Sequence, residues 1–215
     1  MLSITKEQLA QLPPVEYDGR IHVVDTISGV RDVVAYLTKC DMVGFDTETR
    51  PTFTKGKTHK VALLQLSTDE ECFLIRLNKT GMPNVMRDFL ESNSPIKIGL
   101  SIKDDFHSIC KVCDGFNPDG FVELQDYVKG FDISDMSLQK VYGIIFGQRI
   151  SKAQRLSNWE ADELSPAQQR YASIDAWACL KIYRHLLAGN FNPETWCFED
   201  FDLLPDRIAE ETGRE

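Results

Sequence analysis

The stretch Val43-Gly44-Phe45-Asp46-Thr47-Glu48-Thr49 constrains this chain more than any other. It is rich in β-branched and aromatic residues, and its side chains alternate between two faces as a strand requires. Val43, Phe45 and Thr47 point one way, while Gly44, Asp46 and Glu48 point the other. Two carboxylates therefore share one face of an otherwise apolar strand, separated by about two rises of ~3.3 Å. Buried like charges at that separation repel, and one of them would ordinarily take up a proton. A divalent cation removes the repulsion, and hard carboxylate oxygens suit Mg²⁺ or Mn²⁺. These residues alone leave a second reading open, in which one acid caps a turn and the other is solvated at the strand's end.

At 215 residues, 42% of them hydrophobic, the chain is sized for one large domain, or one domain with terminal extensions. Residues 1–30 carry no basic-then-apolar leader, and no stretch approaches ~20 consecutive apolar residues, so a cytoplasmic protein is expected. The six cysteines are scattered, which favours free thiols over a disulfide framework. Cys110-x-x-Cys113 has no second pair nearby to complete a zinc site and is expected to pack in the core. A net charge of −9 argues against a nucleic-acid partner, but the charge is unevenly placed. Residues 190–215 alone hold eight acids against two arginines, leaving the remainder much closer to neutral.

Taken in order, Thr5-x-x-Gln8 reads as a capping box opening a short helix that Pro13-Pro14 stops. A strand follows at residues 21–24, and Val30, Val33, Val34 and Leu37 fall at helical spacing within 28–40. Residues 50–60 contain Arg50, Lys55, Lys57, His59 and Lys60 and no acid. Such a run is ordinarily a solvated loop, but this one leaves directly from the carboxylate-bearing strand, where it could contact phosphates. Gly56-Lys57-Thr58 resembles the tail of a P-loop, yet Pro51 occupies the place of its first glycine, which excludes that motif.

Strands at 61–67 and 72–77, joined by a turn, form an antiparallel meander with the central strand. A helix starts at Pro83, a strand runs over 96–100, and a helix over 103–112 turns Phe106, Ile109 and Cys110 inward. Asp104 and Asp105 sit in its first turn, where acids complement the helix dipole. A further strand is expected at 122–124 and a helix at 137–146, ended by Gly147. Residues 149–155 form a second acid-free basic patch, with Arg149, Lys152 and Arg155. Ser165-Pro166-Ala167-Gln168 is a strong helix start, and that helix runs to about Leu187. This succession indicates an α/β domain.

On the last helix Tyr171 and Asp175 stand four residues apart, hence on one face. The surrounding Ala172, Ile174, Ala176 and Leu180 bury that helix, so Asp175 needs a partner or a cation. On these residues alone, a core tyrosine whose hydroxyl bonds Asp175 is the favoured reading.

Together, Asp46-x-Glu48 on a strand, Asp105 in the first turn of a later helix, and Tyr171-x-x-x-Asp175 on the last helix resemble the three motifs of the DEDD superfamily of 3′–5′ exonucleases, in its tyrosine-containing (DEDDy) branch. The flanks resemble those of ribonuclease D and Werner-type exonuclease domains. They are Val43-Gly44-Phe45-Asp46-Thr47-Glu48, residues 97–105, Ser157-Asn158-Trp159, and residues 169–176. The resemblance sets an exonuclease domain at residues 21–189, between an N-terminal extension (1–20) and an acidic C-terminal tail (190–215). The tail is too short and too acidic for the helical nucleic-acid-binding domains that follow the catalytic domain of ribonuclease D, so a stand-alone catalytic domain is expected.

The resemblance implies a ribonuclease H-like mixed sheet, an antiparallel meander plus parallel strands, with helices packed on it. It also implies two divalent metal ions, Mg²⁺ or Mn²⁺, held by Asp46, Glu48, Asp105 and Asp175. Asp46 would bridge both ions, Glu48 and Asp175 would complete one, and Asp105 would hold the other through water. Tyr171 would orient the attacking water, because a phenol is too weak a base at neutral pH to act alone. The implied partner is the 3′ end of a single nucleic-acid strand, with DNA and RNA both open. Arg50, Lys55, Lys57, Lys152 and Arg155 are the candidates for holding its phosphates, Lys152 foremost. Phe106 is read as core, with base stacking as the alternative. A catalytically silent nucleic-acid-binding or scaffolding module is the competing reading; the presence of all four acids and the tyrosine favours catalysis.

Overall fold

Residues 1–54, 56 and 58–203 are described by a computed structural model. Among them, β1 (Arg20–Val24), β2 (Met42–Thr49), β3 (Val61–Ser67), β4 (Glu71–Ile75), β5 (Ile96–Gly99) and β6 (Phe121–Glu123) form one sheet in the order β1-β4-β3-β2-β5-β6. The β2-β3-β4 portion is the antiparallel meander read from the sequence. β1 joins β4 in parallel, β5 joins β2 in parallel, and β6 joins β5 in parallel. The helices are α1 (Lys6–Gln11), α2 (Ile27–Leu37), α3 (Leu77–Thr80), α4 (Asn84–Leu90), α5 (Ile102–Cys110), α6 (Leu124–Tyr127), α7 (Leu138–Phe146) and α8 (Pro166–Leu187). The whole is a mixed α/β, ribonuclease H-like arrangement. None of these helices is long and apolar enough to cross a membrane.

The alternation in β2 sorts the helices onto two faces. Val43 and Phe45 are fully buried on one side, in a cluster with Val30, Val34 and Leu37 of α2, Met86 and Phe89 of α4, and Ile102 and Ile109 of α5. On the other side lies α8, whose start is fixed by the Ser165–Gln168 capping box with Pro166 in its first turn. Gly44 makes this packing possible. A Cβ at that position would lie 2.0 Å from the Ala176 carbonyl oxygen, so the α8 backbone rests directly on β2. That contact brings Asp175, next to Ala176, over the strand that carries Asp46.

One feature departs from the sequence reading, and two more add to it. Cys110 is exposed, whereas Cys113 is buried. The inward stripe of this segment is Ile102, Phe106, Ile109 and Cys113, at steps of three and four, and Cys110 falls beside it on the solvent side. The α5 start is capped by Glu123 rather than Asp104, which is exposed. Lys97 of β5 is fully buried, its ammonium donating to the carbonyls of Phe89 (3.3 Å) and Ser92 and facing the Phe121 ring.

The segments set apart as an extension and a tail share the main core. Ile4, Leu9 and Leu12 pack with α7 and α8, and Leu2 pairs with Ile133. After α8, Phe198 is buried in the same cluster, and the Trp196 indole donates to the Ile144 carbonyl at 2.7 Å. Residues 204–215 of the tail lie outside the described residues.

Candidate active site

Strand β2 and helix α8 bring three carboxylates together. Ligand oxygens of Asp46, Glu48 and Asp175 all lie within 4.8 Å of one another. They line a cleft of about 420 Å³, as do Tyr171, Lys152, Arg155, Ser101, Gln139 and Cys179. Asp46 and Glu48 share a face through the two-residue strand period. Asp175 joins them because Gly44 admits α8, and Tyr171 follows from its place one turn earlier on α8.

Asp105 arrives from the other face of the sheet. Helix α5 belongs to the α2/α4 side; its N-cap residue Ser101 lines the cleft, whereas Asp105 is neither among the lining residues nor in the trio and stands near it as a neighbour of the Asp46 charge. Thr47, which points to that side, donates its hydroxyl to the Asp105 carboxylate. The helix start is itself fixed. Ser101 adopts a left-handed φ of 63°, turning the chain sharply out of β5. Both Glu123 oxygens accept from the α5 entrance, one from Ser101 N–H and one from Ile102 N–H, each at 2.9 Å. Thr47 and Glu123 were not singled out by the sequence reading. Both act through partners at least 20 residues away in the chain, and no local pattern announces such a contact.

Electrostatics makes this cluster unstable as four free carboxylates. Burial, then the charge of Asp175, holds the Asp46 carboxyl well above the usual range. Burial and the neighbouring acids, Asp46 first, raise Glu48. Asp105 is pushed up to about 8 by burial and Asp46, with the Thr47 hydroxyl countering in part. Asp175 is raised to about 7 by burial, while the Tyr171 hydroxyl and the Lys152 charge draw it partly back. Tyr171 is raised by burial and the acids around it, so it stays a phenol throughout the neutral range. An all-oxygen, carboxylate-rich cluster of this kind fits a hard divalent cation and is a candidate site for one.

The basic residues divide. Lys152 and Arg155 line the cleft, and the Arg155 charge opposes the upward shift of Glu48. Arg50 is turned away to Glu160 (3.2 Å), whose other oxygen meets His59 at 3.0 Å. Lys55 and Lys57 lie outside the described residues. Phe106 packs edge-on against Phe121 and Phe116, in keeping with a core role.

Residues 21–188 match the family described as 3′–5′ exonuclease. The chain belongs to that family. Among curated members, it is 31% identical over 197 residues to the mouse bifunctional 3′–5′ exonuclease/ATP-dependent helicase WRN, covering 87% of this chain and 14% of that protein. The chain thus spans only a small part of the mouse exonuclease/helicase. Among solved structures, the Nibbler EXO domain of Aedes aegypti superposes with a TM-score of 0.71 at 22% identity, over 84% of this chain and 95% of that one. Escherichia coli RNase D, described as an exoribonuclease involved in structured RNA processing, gives 0.69 at 20% identity, over 79% of this chain and 44% of that one. At those identities the two exonuclease structures establish the shared fold.

Proposed function

We propose that this chain is a metal-dependent 3′–5′ exonuclease of the tyrosine-containing DEDD branch. It removes nucleoside 5′-monophosphates from the 3′ end of a single DNA or RNA strand. The observation that carries this reading is the clustering of Asp46, Glu48 and Asp175 oxygens within 4.8 Å in a cleft that raises all three carboxyls. Cations relieve that repulsion.

Asp46, Glu48 and Asp175 would hold one Mg²⁺ or Mn²⁺ ion, and Asp46 and Asp105 a second. When bound, two such ions activate the attacking water and neutralise charge on the phosphate. Tyr171, kept protonated, donates from its hydroxyl and positions the water against Glu48; it does not serve as the base. Lys152 and Arg155 hold the backbone of the incoming strand through its phosphates. Arg50, engaged by Glu160, steadies the loop after β2.

The test is incubation of the chain with end-labelled single-stranded DNA and RNA in Mg²⁺ or Mn²⁺, beside Asp46→Ala. Stepwise shortening from the 3′ end, abolished by EDTA and by the substitution, is expected. Intact substrate in every metal, or equal degradation by Asp46→Ala, would remove the proposal. The ratio of DNA to RNA turnover in the same assay assigns the substrate.

A further inference from the structure

Gln65 of β3 is fully buried, and neither its amide nitrogen nor its amide oxygen has a hydrogen-bond partner among the described residues. Burying an amide in that state is costly, and native structures rarely leave one so. The strand register places it directly opposite Asp46 in the antiparallel β2–β3 pair. Residues paired in this way point to the same face, with Cβ atoms about 4.5–5.5 Å apart. Gln65 therefore stands behind the carboxylate cluster, on the sheet side of it.

Two hydroxyls along that face are already used, while the Tyr17 hydroxyl and the Trp159 indole N–H, in the cluster beside it, lack partners among the described residues as Gln65 does. The Ser67 hydroxyl donates to the Thr68 carbonyl at 2.8 Å, and the Ser173 hydroxyl to the Gln169 carbonyl at 2.8 Å. On the next pair along, Glu48 faces Leu63, which packs with Trp159, Leu164 and Ala172 in an apolar cluster. The carboxylate directly across from the orphaned amide is that of Asp46. An ionised carboxylate only accepts hydrogen bonds, and Gln65 carries two N–H donors.

We propose that Gln65 is a positioning residue for Asp46: its amide N–H donates to the Asp46 carboxylate when a cation holds that carboxylate, fixing which oxygen faces the ion. Outer partners of this kind orient metal-ligating carboxylates and set their affinity. The inference rests on the metal site proposed above. It also accounts for a polar side chain retained where leucine would pack.

The experiment uses the full chain with Gln65→Met and Gln65→Leu, which remove both polar atoms at similar volume. Mn²⁺ binding is titrated by electron paramagnetic resonance, and melting is followed in EDTA. Both variants should lose Mn²⁺ affinity by roughly 10–100-fold. Their metal-free melting temperature should equal or exceed that of the unmodified chain, because an apolar group replaces an unpaired buried amide. On a labelled strand, kcat should fall with KM unchanged. In ¹⁵N spectra of the unmodified chain, the Gln65 side-chain amide signals should move on Mg²⁺ addition, a readout that needs no variant.

Affinity within twofold of the unmodified chain, or a lowered metal-free melting temperature with affinity intact, would overturn the proposal. So would amide signals that stay fixed while the site fills. If the unmodified chain and Asp46→Asn take up Mn²⁺ equally poorly, the metal site itself fails, and that outcome is distinct from all of these.

Discussion

The trio that lines the cleft and the nearby Asp105 are put in place by two different constructions. Asp46, Glu48 and Asp175 are delivered by backbone: one strand supplies two of them, and a helix resting on Gly44 supplies the third. Asp105 is delivered by hydrogen bonds, from Thr47 to its side chain and from the α5 entrance to Glu123. The first construction forces like charges together whatever their protonation. The second lets a single carboxylate be held or released by a hydroxyl. Disturbing packing should therefore damage the trio, and disturbing one hydrogen bond should touch Asp105 alone.

The largest effect is expected from neutralising the trio. Asp175→Asn should reduce nuclease activity to background while raising the metal-free melting temperature at pH 8, since it removes a charge that the fold holds buried. The pH dependence follows from the same shifts. These carboxyls ionise near pH 4 in the unfolded chain, but Asp175 and Asp105 do so only near 7 and 8 in the folded one. Between those values the folded state binds more protons, so metal-free stability falls as pH rises from about 5 to about 8. Thermal melts in EDTA across that range should show a decline of several degrees, and saturating Mg²⁺ at pH 8 should reverse it. A flat profile would mean that Asp175 and Asp105 are not buried as the structure has them.

Next comes the helix–strand contact itself. Gly44→Ala places a Cβ where Ala176 backbone lies, and overpacking of that kind costs about 1–3 kcal/mol. Because relief requires α8 to lift, Asp175 moves away from Asp46. A displacement of about 1 Å lowers turnover by about 10²-fold. The check is kcat measured well below the melting temperature, where lost stability no longer contributes. By contrast, Thr47→Val removes one donor from Asp105 and leaves the trio in place. A hydrogen bond to a charged group is worth roughly 1.5–3 kcal/mol, so activity should fall about 10- to 100-fold. Mn²⁺ titration should show binding at the Asp46, Glu48 and Asp175 trio unchanged, and Thr47→Ser should recover most of the loss.

The trio was legible in the sequence because each part of it obeys a local period. Asp46 and Glu48 follow the strand's alternation, Tyr171 and Asp175 the helix's four-residue step, and the Ser165 capping box marks where that helix begins. The meander was legible for the same reason, from alternating runs and the turn at residues 68–71. What joins Asp105 to the rest was not, because Thr47 and Glu123 act across 58 and 22 residues of chain. The inward placement expected for Cys110 failed because Phe106 and Ile109 already define the stripe, and Cys113 extends it. A count of basic residues likewise could not separate Arg50 from Lys152, since the partner that turns Arg50 aside, Glu160, stands 110 residues later.

That pair of cations gives the smallest effect and extends the comparison to the rim. Lys152 lines the cleft and acts on Asp175, so Lys152→Ala should weaken strand binding in Ca²⁺ and reduce the salt slope by about one. Arg50→Ala should leave that slope unchanged. It breaks a partly exposed ion pair with Glu160, worth about 0–1 kcal/mol, and should lower the melting temperature by no more than a few degrees. Fluorescence anisotropy of a labelled strand between about 50 and 200 mM salt separates the two. Should Arg50→Ala flatten the slope as much as Lys152→Ala, Arg50 leaves Glu160 for phosphate when the strand arrives, and the loop after β2 joins the binding surface.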